Sequence, residues 1–504
     1  MTAVLLKLKE NPADLTRPVF RALWYSSLIC IIFQLFLGAD LTVAVTDFGC
    51  VTLGLYGLRL YSVFNAGAVL ILFYSVGNVI LALYVKTILL QPLDIYLFAP
   101  VTSYMAELVT VTAAILALGM VAKLNLGPPV LQAELDARQL DRLARSAALI
   151  GMAAWLESHH YHAASGDNFD GFAGFRDLLF LAVICKTASL IVRKLSRSYI
   201  DPELAALLIA SMSLGFLANS KTYTFLPVIA YISTIFFFEG KISITRIAIF
   251  AASGGFFLIV VSPLIQAFRF LGQMRVNFFE RLHLIASALT SPNYSTLLSR
   301  LRAHASSLYG EGYYDYFRDH ANWVVIASRY ASVQQIDPVI ARVQLWGFQQ
   351  VPVITDALVG IIPHIIYGAK LPFSTAYYIL LQLGFVSVDS GKSPTLPIAG
   401  ELYANGGMIE VFFGALIVFA IYFMVLKKLA WDLRRNVFAI FFFVDFTFVY
   451  ASQGAVEQYI NAALREFPTF AVIILLLRYT RLVSRNDGVP SKPALPAGRD
   501  GYAN

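Results

Sequence analysis

The sequence predicts an all-α fold, a polytopic integral membrane bundle of 10–12 transmembrane helices with one helical extramembrane cap. Composition is the first observation behind this. The chain of 504 residues is 58% hydrophobic and 14% charged, with a mean hydropathy of +0.68. That leaves too few polar side chains to cover a water-soluble surface. The second observation is that apolar runs of about 20 residues recur along the chain, the length that crosses a bilayer as a helix. The third is that short basic connections alternate with less basic ones, as the charge asymmetry of membrane proteins requires. Lipid offers backbone amides no partner, so helices are the spanning element.

Taken in order, the N-terminal segment MTAVLLKLKENPADLTRP has an apolar run of only a few residues and no signal-peptide layout. Spans are expected at 20–38, 64–85, 101–123, 176–193, 203–219, 223–238, 246–267, 408–426, 437–455 and 467–483. Two stretches are ambiguous. Leu41–Leu58 is short and carries Asp47, and Ala147–Leu156 is shorter still and reads as a broken or surface helix. The connections RKLSRS (Arg193–Ser198), EGKISITR (Glu239–Arg246) and KKLAWDLRR (Lys427–Arg435) are basic and read as cytoplasmic. Lys7, Lys9, Arg17 and Arg21 near the start, and the tail from Arg478, read the same way. Both ends then share one side only if the span count is even, 10 or 12. The net charge of +7 is thus assigned to orientation rather than to nucleic acid.

This orientation leaves one long connection on the far side, the 140 residues from Phe268 to Gly407. It holds ten Lys and Arg against eight Asp and Glu, but charge bias loses its force in long loops. Aromatic and helical patches, YGEGYYDYF (Tyr309–Phe317) and WVVIASRYASV (Trp323–Val333), predict a folded cap. The expected organisation is an N-terminal membrane bundle over 1–267, the large loop over 268–407, C-terminal membrane helices over 408–483, and a disordered tail over 484–504.

Several residues are candidates for chemistry. Arg269, Arg275 and Arg281 follow the span at 246–267. Arginine's planar fork of donors suits phosphate, while the plainer alternative is snorkelling to lipid headgroups. Lys221 sits in a very short connection and either meets a lipid phosphate or anchors the hairpin. In ALVGIIPHIIYGAKLPFS, Pro363 and Pro372 break helices, Lys370 is held in a constrained loop, and His364 is a base by residue type or simply a loop histidine. Arg329 is a further candidate contact for an anionic substrate.

In SPTLPIAGELYANGG, Pro394, Pro397 and Gly400 are expected to keep the chain extended, with a helix starting at Asn405 to Gly407 and Asn405 as its candidate N-cap. Glu401 would hang over that helix start, with Glu410 one turn inside, either capping it or acting as a base. His159, His160 and His162 match no zinc spacing, and Cys30, Cys50 and Cys185 form no metal or disulfide pattern. Lys186 and Asp445 lie inside spans, which marks them as functional candidates with no partner evident in sequence. No phosphate-binding glycine motif, hydrolase elbow or nucleotide fold is present.

Four stretches, in this order, resemble the bacterial oligosaccharide repeat-unit polymerases, the Wzy-type O-antigen polymerases. They are NSKTYTFLPVIAYISTIFFFEGK (Asn219–Lys241), VVSPLIQAFRF (Val260–Phe270), IIPHIIYGAKLP (Ile361–Pro372) and GELYANGG (Gly400–Gly407). The resemblance runs from Arg176 to Leu426, and departs from the family where Lys221 stands in place of arginine. It implies a GT-C-like glycosyltransferase of the bacterial inner membrane with a periplasmic cap and active site. Such an enzyme transfers a growing glycan from undecaprenyl pyrophosphate to a lipid-linked repeat unit, without cofactor or metal.

On this resemblance the catalytic set is Glu401, His364 and Arg269, and the substrate-binding set is Lys221, Arg275, Arg329, Lys370 and Asn405. The implied partners are the undecaprenyl-pyrophosphate-linked oligosaccharide, membrane lipid, a chain-length regulator and a flippase, with no nucleic acid. An O-antigen ligase, a transporter or flippase of polysaccharide intermediates, and a non-catalytic envelope scaffold are the rival readings. The topology has a direct check. Single cysteines placed at Ser306 and Ser491 should label oppositely with an impermeant thiol reagent on intact spheroplasts, and equal labelling would overturn the orientation.

Overall fold

Two ends of a helix bundle can be told apart by what gathers at each. The computed structural model describes residues 13–131, 135–164, 173–193, 199–217, 221–239, 316–317, 331–362, 374–386, 396–447, 451 and 454–479. Among these residues the fold is all helical, with a single isolated β-bridge between Asn65 and Asp432. The first helices are α1 (Ala13–Phe36), α2 (Leu41–Tyr61), α3 (Ala66–Ile88) and α4 (Pro100–Lys123). Then follow α5 (Ala137–Ala164), α6 (Leu178–Arg193), α7 (Pro202–Leu217) and α8 (Lys221–Glu239). The long connection contributes α9 (Val333–Trp346), α10 (Val353–Ile361) and α11 (Thr375–Gln382). The chain closes with α12 (Ile398–Leu429), α13 (Val437–Thr447) and α14 (Val456–Leu477).

Six of these, α1, α2, α3, α4, α12 and α14, are long and apolar enough to cross a membrane. The chain is therefore a polytopic α-helical membrane protein. Leu41–Leu58 forms a full helix of crossing length despite Asp47, so that ambiguity resolves toward a span. Ala147–Leu156 is the middle of the 28-residue α5, not a short or broken helix. Hydropathy understates α5 because only one face is apolar. Leu140, Leu143, Ala144, Ala147, Ala154 and Trp155 are buried at helical spacing, while Arg138, Arg142 and Arg145 are interspersed among them. Gly151 lets α5 approach α6, since a Cβ there would come 2.8 Å from the Leu179 side chain. The expected span at 246–267 and the tail lie outside the described residues.

One end carries the basic connections. Lys427 donates to the carbonyls of Val121, Ala122 and Leu124 at 2.8–2.9 Å, covering the C-terminal end of α4, where orphan carbonyls and the helix dipole favour a cation. Lys428 does the same for Leu126. The 62–65 connection is stitched to 430–436 through Ala66 N to Trp431 O and Leu433 N to Phe64 O. Arg435 reaches the Phe237 and Phe238 carbonyls at the end of α8. Lys186 is nearly fully buried and does have partners: Glu203 at 2.5 Å, Asp201 at 3.0 Å and Asp141 at 3.6 Å, on α5 and around the start of α7. Sequence shows no mate for it because these acids lie up to 45 positions away.

The described part of the long connection sits at the opposite end. Lys86, fully buried in α3, donates to the Tyr316 carbonyl at 2.6 Å and lies 4.0 Å from that residue's ring centre. Gln91 donates to the Phe317 carbonyl. Asp337 on α9 accepts from the amides of Phe98 and Ala99 at 2.7 and 2.9 Å and from Ser103 Oγ at 2.9 Å, so it ties α9 to the segment that leads into α4 and to the first turn of that helix. Burial pushes the Asp337 carboxyl above its ordinary range, and these three donors pull it back. Ser332 reaches deeper still, onto Glu107, seven residues into α4. Asp337→Ala should leave three donors without their acceptor, two of them buried, and lower stability by about 1–3 kcal/mol for each buried one, with Asp337→Asn costing less. Thermal unfolding of the purified protein in detergent reads both.

Candidate functional site

The GELYANGG run is helical from its beginning, which corrects the expected extended strap. Pro397 precedes the first turn and α12 starts at Ile398, because proline is favoured just before or at a helix start, where its missing N–H leaves no bond unmade. Gly406 (φ −150°, ψ 22°) and Gly407 (φ 69°, ψ −156°) then break the helix and restart it. Only glycine tolerates the positive φ at 407, and a Cβ there would come 3.0 Å from the Phe348 ring. Asn405 therefore lies in the last turn before the kink rather than at the start of α12. Glu410 folds back beside Gly406.

Glu401 is fully buried in the first turn of α12 and holds three elements together. One carboxylate oxygen accepts from Thr375 Oγ1 at the start of α11. The other accepts from the amide of Val456, the first residue of α14, at 2.7 Å. Its capping thus serves a neighbouring helix, not the one it was expected to overhang. Ile398 N bonds Gly454 O, and Gln349 N bonds Ala404 O, so backbone contacts lock the same junction. His364, Arg269, Arg275, Arg329 and Lys370 lie outside the described residues, and so does the side chain of Lys221. Lys221 is nonetheless the first residue of α8, whose last turn lies at the basic end. Lys221 and Glu401 thus share the end of the bundle where the described part of the long connection sits.

Sequence reasoning passed over a pocket at that same end. Trp155, Arg176, Leu179, Phe180, Leu214 and Tyr223 line it, between α5, α6, α7 and α8. Its walls are mostly apolar, with the Arg176 guanidinium 5.7 Å from the Tyr223 ring centre at its polar edge. Gly215 sets how closely α7 and α8 approach there, since a Cβ would fall 2.4 Å from the Thr224 amide and the Tyr223 carbonyl carbon. Arg176 stood only as the boundary of an expected span. A basic residue at the far end of a helix from its basic connection was the available signal.

Glu107 is a second residue that went unnoticed, inside an expected span. It is fully buried and accepts from Tyr74 OH at 2.7 Å, Asn78 Nδ2 at 3.5 Å and Ser332 Oγ at 2.6 Å. Among the described residues no three His, Cys, Asp or Glu side chains are arranged to hold a metal ion. No family model, no curated protein and no solved structure matches the chain.

The Glu401 junction can be tested through its two bonds. Glu401→Gln retains one oxygen for the Val456 amide and presents an amide to the Thr375 hydroxyl, which can accept. Glu401→Ala leaves both donors buried and unpaired, at about 1–3 kcal/mol each. The alanine variant should unfold at clearly lower temperature than the glutamine variant, and equal melting of the two would remove Glu401 from the junction's support.

Proposed function

We propose that this chain is a glycosyltransferase of the O-antigen polymerase kind, embedded in the bacterial inner membrane with its reaction on the periplasmic side. The observation that carries this reading is the apolar pocket edged by Arg176 at the cap end, beside the helix that begins with Lys221. The pocket has only about 20 Å³ of free volume, room for a water rather than a prenyl unit, so the polyprenyl chain would lie in the surrounding lipid while the guanidinium at the pocket's edge meets the pyrophosphate. The GELYANGG junction lies at the same end, in keeping with a site shared between membrane helices and cap.

In the proposed reaction, the bond between the donor's anomeric carbon and the pyrophosphate oxygen breaks. The anomeric carbon joins a hydroxyl of the lipid-linked acceptor, and that hydroxyl's proton passes to a base. Arg269, assisted by Arg275, Arg329, Lys370 and Lys221, would neutralise the departing pyrophosphate, an interaction that strengthens as charge develops. His364 and Glu401 are the candidate bases. Each oxygen of Glu401 accepts one hydrogen bond and keeps a second lone pair, but the carboxyl is fully buried, so proton acceptance there requires the acceptor hydroxyl, or a water relaying its proton, to reach into the junction. Asn405, one turn from Glu401, is a candidate sugar contact. The bond energy arrives in the donor, so the reaction calls for no nucleotide.

Ligase chemistry uses the same donor and differs in acceptor. The transporter reading draws on another observation, the carboxylates Asp177, Asp445 and Glu466 inside the bundle. Complementation of a polymerase-null strain discriminates among the three. A polymerase restores a ladder of surface polysaccharide, whereas a ligase or transporter does not. In that assay Arg269→Ala, at equal protein level, should lower polymerisation by about a hundredfold, with Arg269→Lys in between. Glu401→Gln, which retains the junction, should leave mostly single repeats if Glu401 is the base. Normal chain lengths from Glu401→Gln would assign proton transfer to another group, His364 first.

A further inference from the structure

Two helices of the bundle are interrupted by π turns, and each turn delivers an acid to the same interior site. α13 widens at Phe443–Thr447, which contains Asp445, and α14 widens at Ala462–Glu466, which ends in Glu466. In α14, Pro468 cannot donate to the helical ladder, which loosens it at this point. The next residues in sequence, Phe446 and Phe467, pack with ring centres 4.5 Å apart, which fixes the two turns face to face. The third acid is Asp177, the last residue of the 3-10 turn Ala173–Asp177 that leads into α6. Asp445 lies close enough to feel both Asp177 and Glu466, and Asp177 feels Glu466 in turn.

Depth matters here. Asp445 is eight residues from the start of α13 and Glu466 ten from the start of α14, so they lie about 12 Å and about 15 Å inside the bundle from opposite ends. Asp445 is 7% exposed and Asp177 8% exposed. One carboxylate oxygen of each, Oδ2 of Asp445 and Oδ1 of Asp177, is buried without a hydrogen-bond partner.

The facing groups come from every neighbouring element. Tyr223 on α8 donates to Asp177, and Arg176 is the cation nearest it. Arg465 is the cation facing Glu466. Tyr422 on α12 faces Asp445 and Glu466 while its hydroxyl bonds Thr447. α3 also packs here through Phe73 on Phe443, but its Tyr74 is turned to Glu107. On α6, Lys186 is held at the basic end by Glu203, Asp201 and Asp141. Among the described residues no cation faces Asp445.

Three mutually repelling carboxylates in an apolar bundle, with two guanidiniums facing two of them, cannot all be ionised at tolerable cost. The described groups have no arrangement that gathers three of them around one metal ion. A proton is the charge that fits. We propose that Asp177, Asp445 and Glu466 form an intramembrane proton-binding site, exchanging with the cap end through Tyr223 and the pocket it lines. Tyr223 touches both, as a pocket wall and as a donor to Asp177. Such a site would let the bundle take up or release a proton as its helices move, whichever substrate it handles. The proposal does not rest on glycan transfer.

Infrared spectroscopy of the purified full chain in lipid nanodiscs tests it, since a protonated carboxyl has a carbonyl stretch separate from that of carboxylate. In choline buffer at neutral pH, the wild type should show such a band. The band should shift with ¹³C-aspartate labelling and disappear or weaken in Asp445→Asn, Asp177→Asn or Glu466→Gln. Tyr223→Phe should keep the band but slow its response to a pH jump. A wild-type spectrum without a protonated-carboxyl band that any of the three substitutions removes would overturn the site. Absence of any shifting aspartate band in the wild type excludes a protonated Asp445 or Asp177 even if a variant fails to fold, and a shifting band that Asp47→Asn removes would belong to Asp47, whose two oxygens are also buried without a partner, and would overturn the assignment. Loss of the band when Na⁺ replaces choline at constant pH would overturn the proton assignment in favour of a metal-cation site. A Tyr223→Phe response as fast as wild type would overturn the exchange route.

Discussion

A helix that begins inside an apolar bundle leaves its first amides out of reach of water, and much of this structure follows from how those amides are satisfied. At two helix starts a buried carboxylate from a distant segment meets the need. Asp337 of the long connection takes the Phe98 and Ala99 amides that lead into α4, and Glu401 of α12 takes the first amide of α14. Each bond closes two deficits, an orphan donor and an otherwise uncompensated charge. Because the two partners come from far apart in the chain, each also fixes a tertiary relation. Asp337 seats α9 on the bundle, and Glu401 sets α11 and α14 around the first turn of α12.

The same economy of charge organises the two ends. At the basic end, lysines cover the C-terminal carbonyls of α4 and the chain just beyond it, while an ion network of Lys186, Arg193, Asp141, Asp201 and Glu203 ties α5, α6 and α7. At the other end, Lys86 binds the Tyr316 carbonyl of the long connection against the ring of the same residue. In all these places a cation meets carbonyls or carboxylates rather than lipid, and the pairings differ between the two ends of the bundle. Asp177 and Asp445 depart from this pattern, each with a buried carboxylate oxygen that has no hydrogen-bond partner, and so does Asp47 in α2, with both.

Close backbone approach is the other recurring device. Gly151 brings α5 onto α6, Gly215 brings α7 onto α8, and Gly407 turns α12 under Phe348. The Gly215 contact lies against the pocket with Arg176, and the Gly407 turn lies one turn beyond the Glu401 junction. Both parts of the proposed lipid-linked glycan site thus rest on places where a side chain as small as alanine would not fit without movement.

By itself the sequence determined the class, the helical content and the grouping of basic connections at one end, because these depend on composition and on periodicity within a single helix. It also marked the GELYANGG run as special, since paired glycines and a lone carboxylate are visible one residue at a time. Only the tertiary structure decided what that carboxylate does, because its partners, Thr375 and Val456, are 26 and 55 positions away. The same distance hid the mates of Lys186, the three donors on Glu107 and the meeting of Asp177 with Asp445 and Glu466. α5 was misjudged for a related reason. Its polar face lowered the local hydropathy, and its apolar stripe makes sense only against α6. A buried charge is conspicuous in a sequence, but its partner is selected by packing, and packing between helices leaves no local mark on the chain.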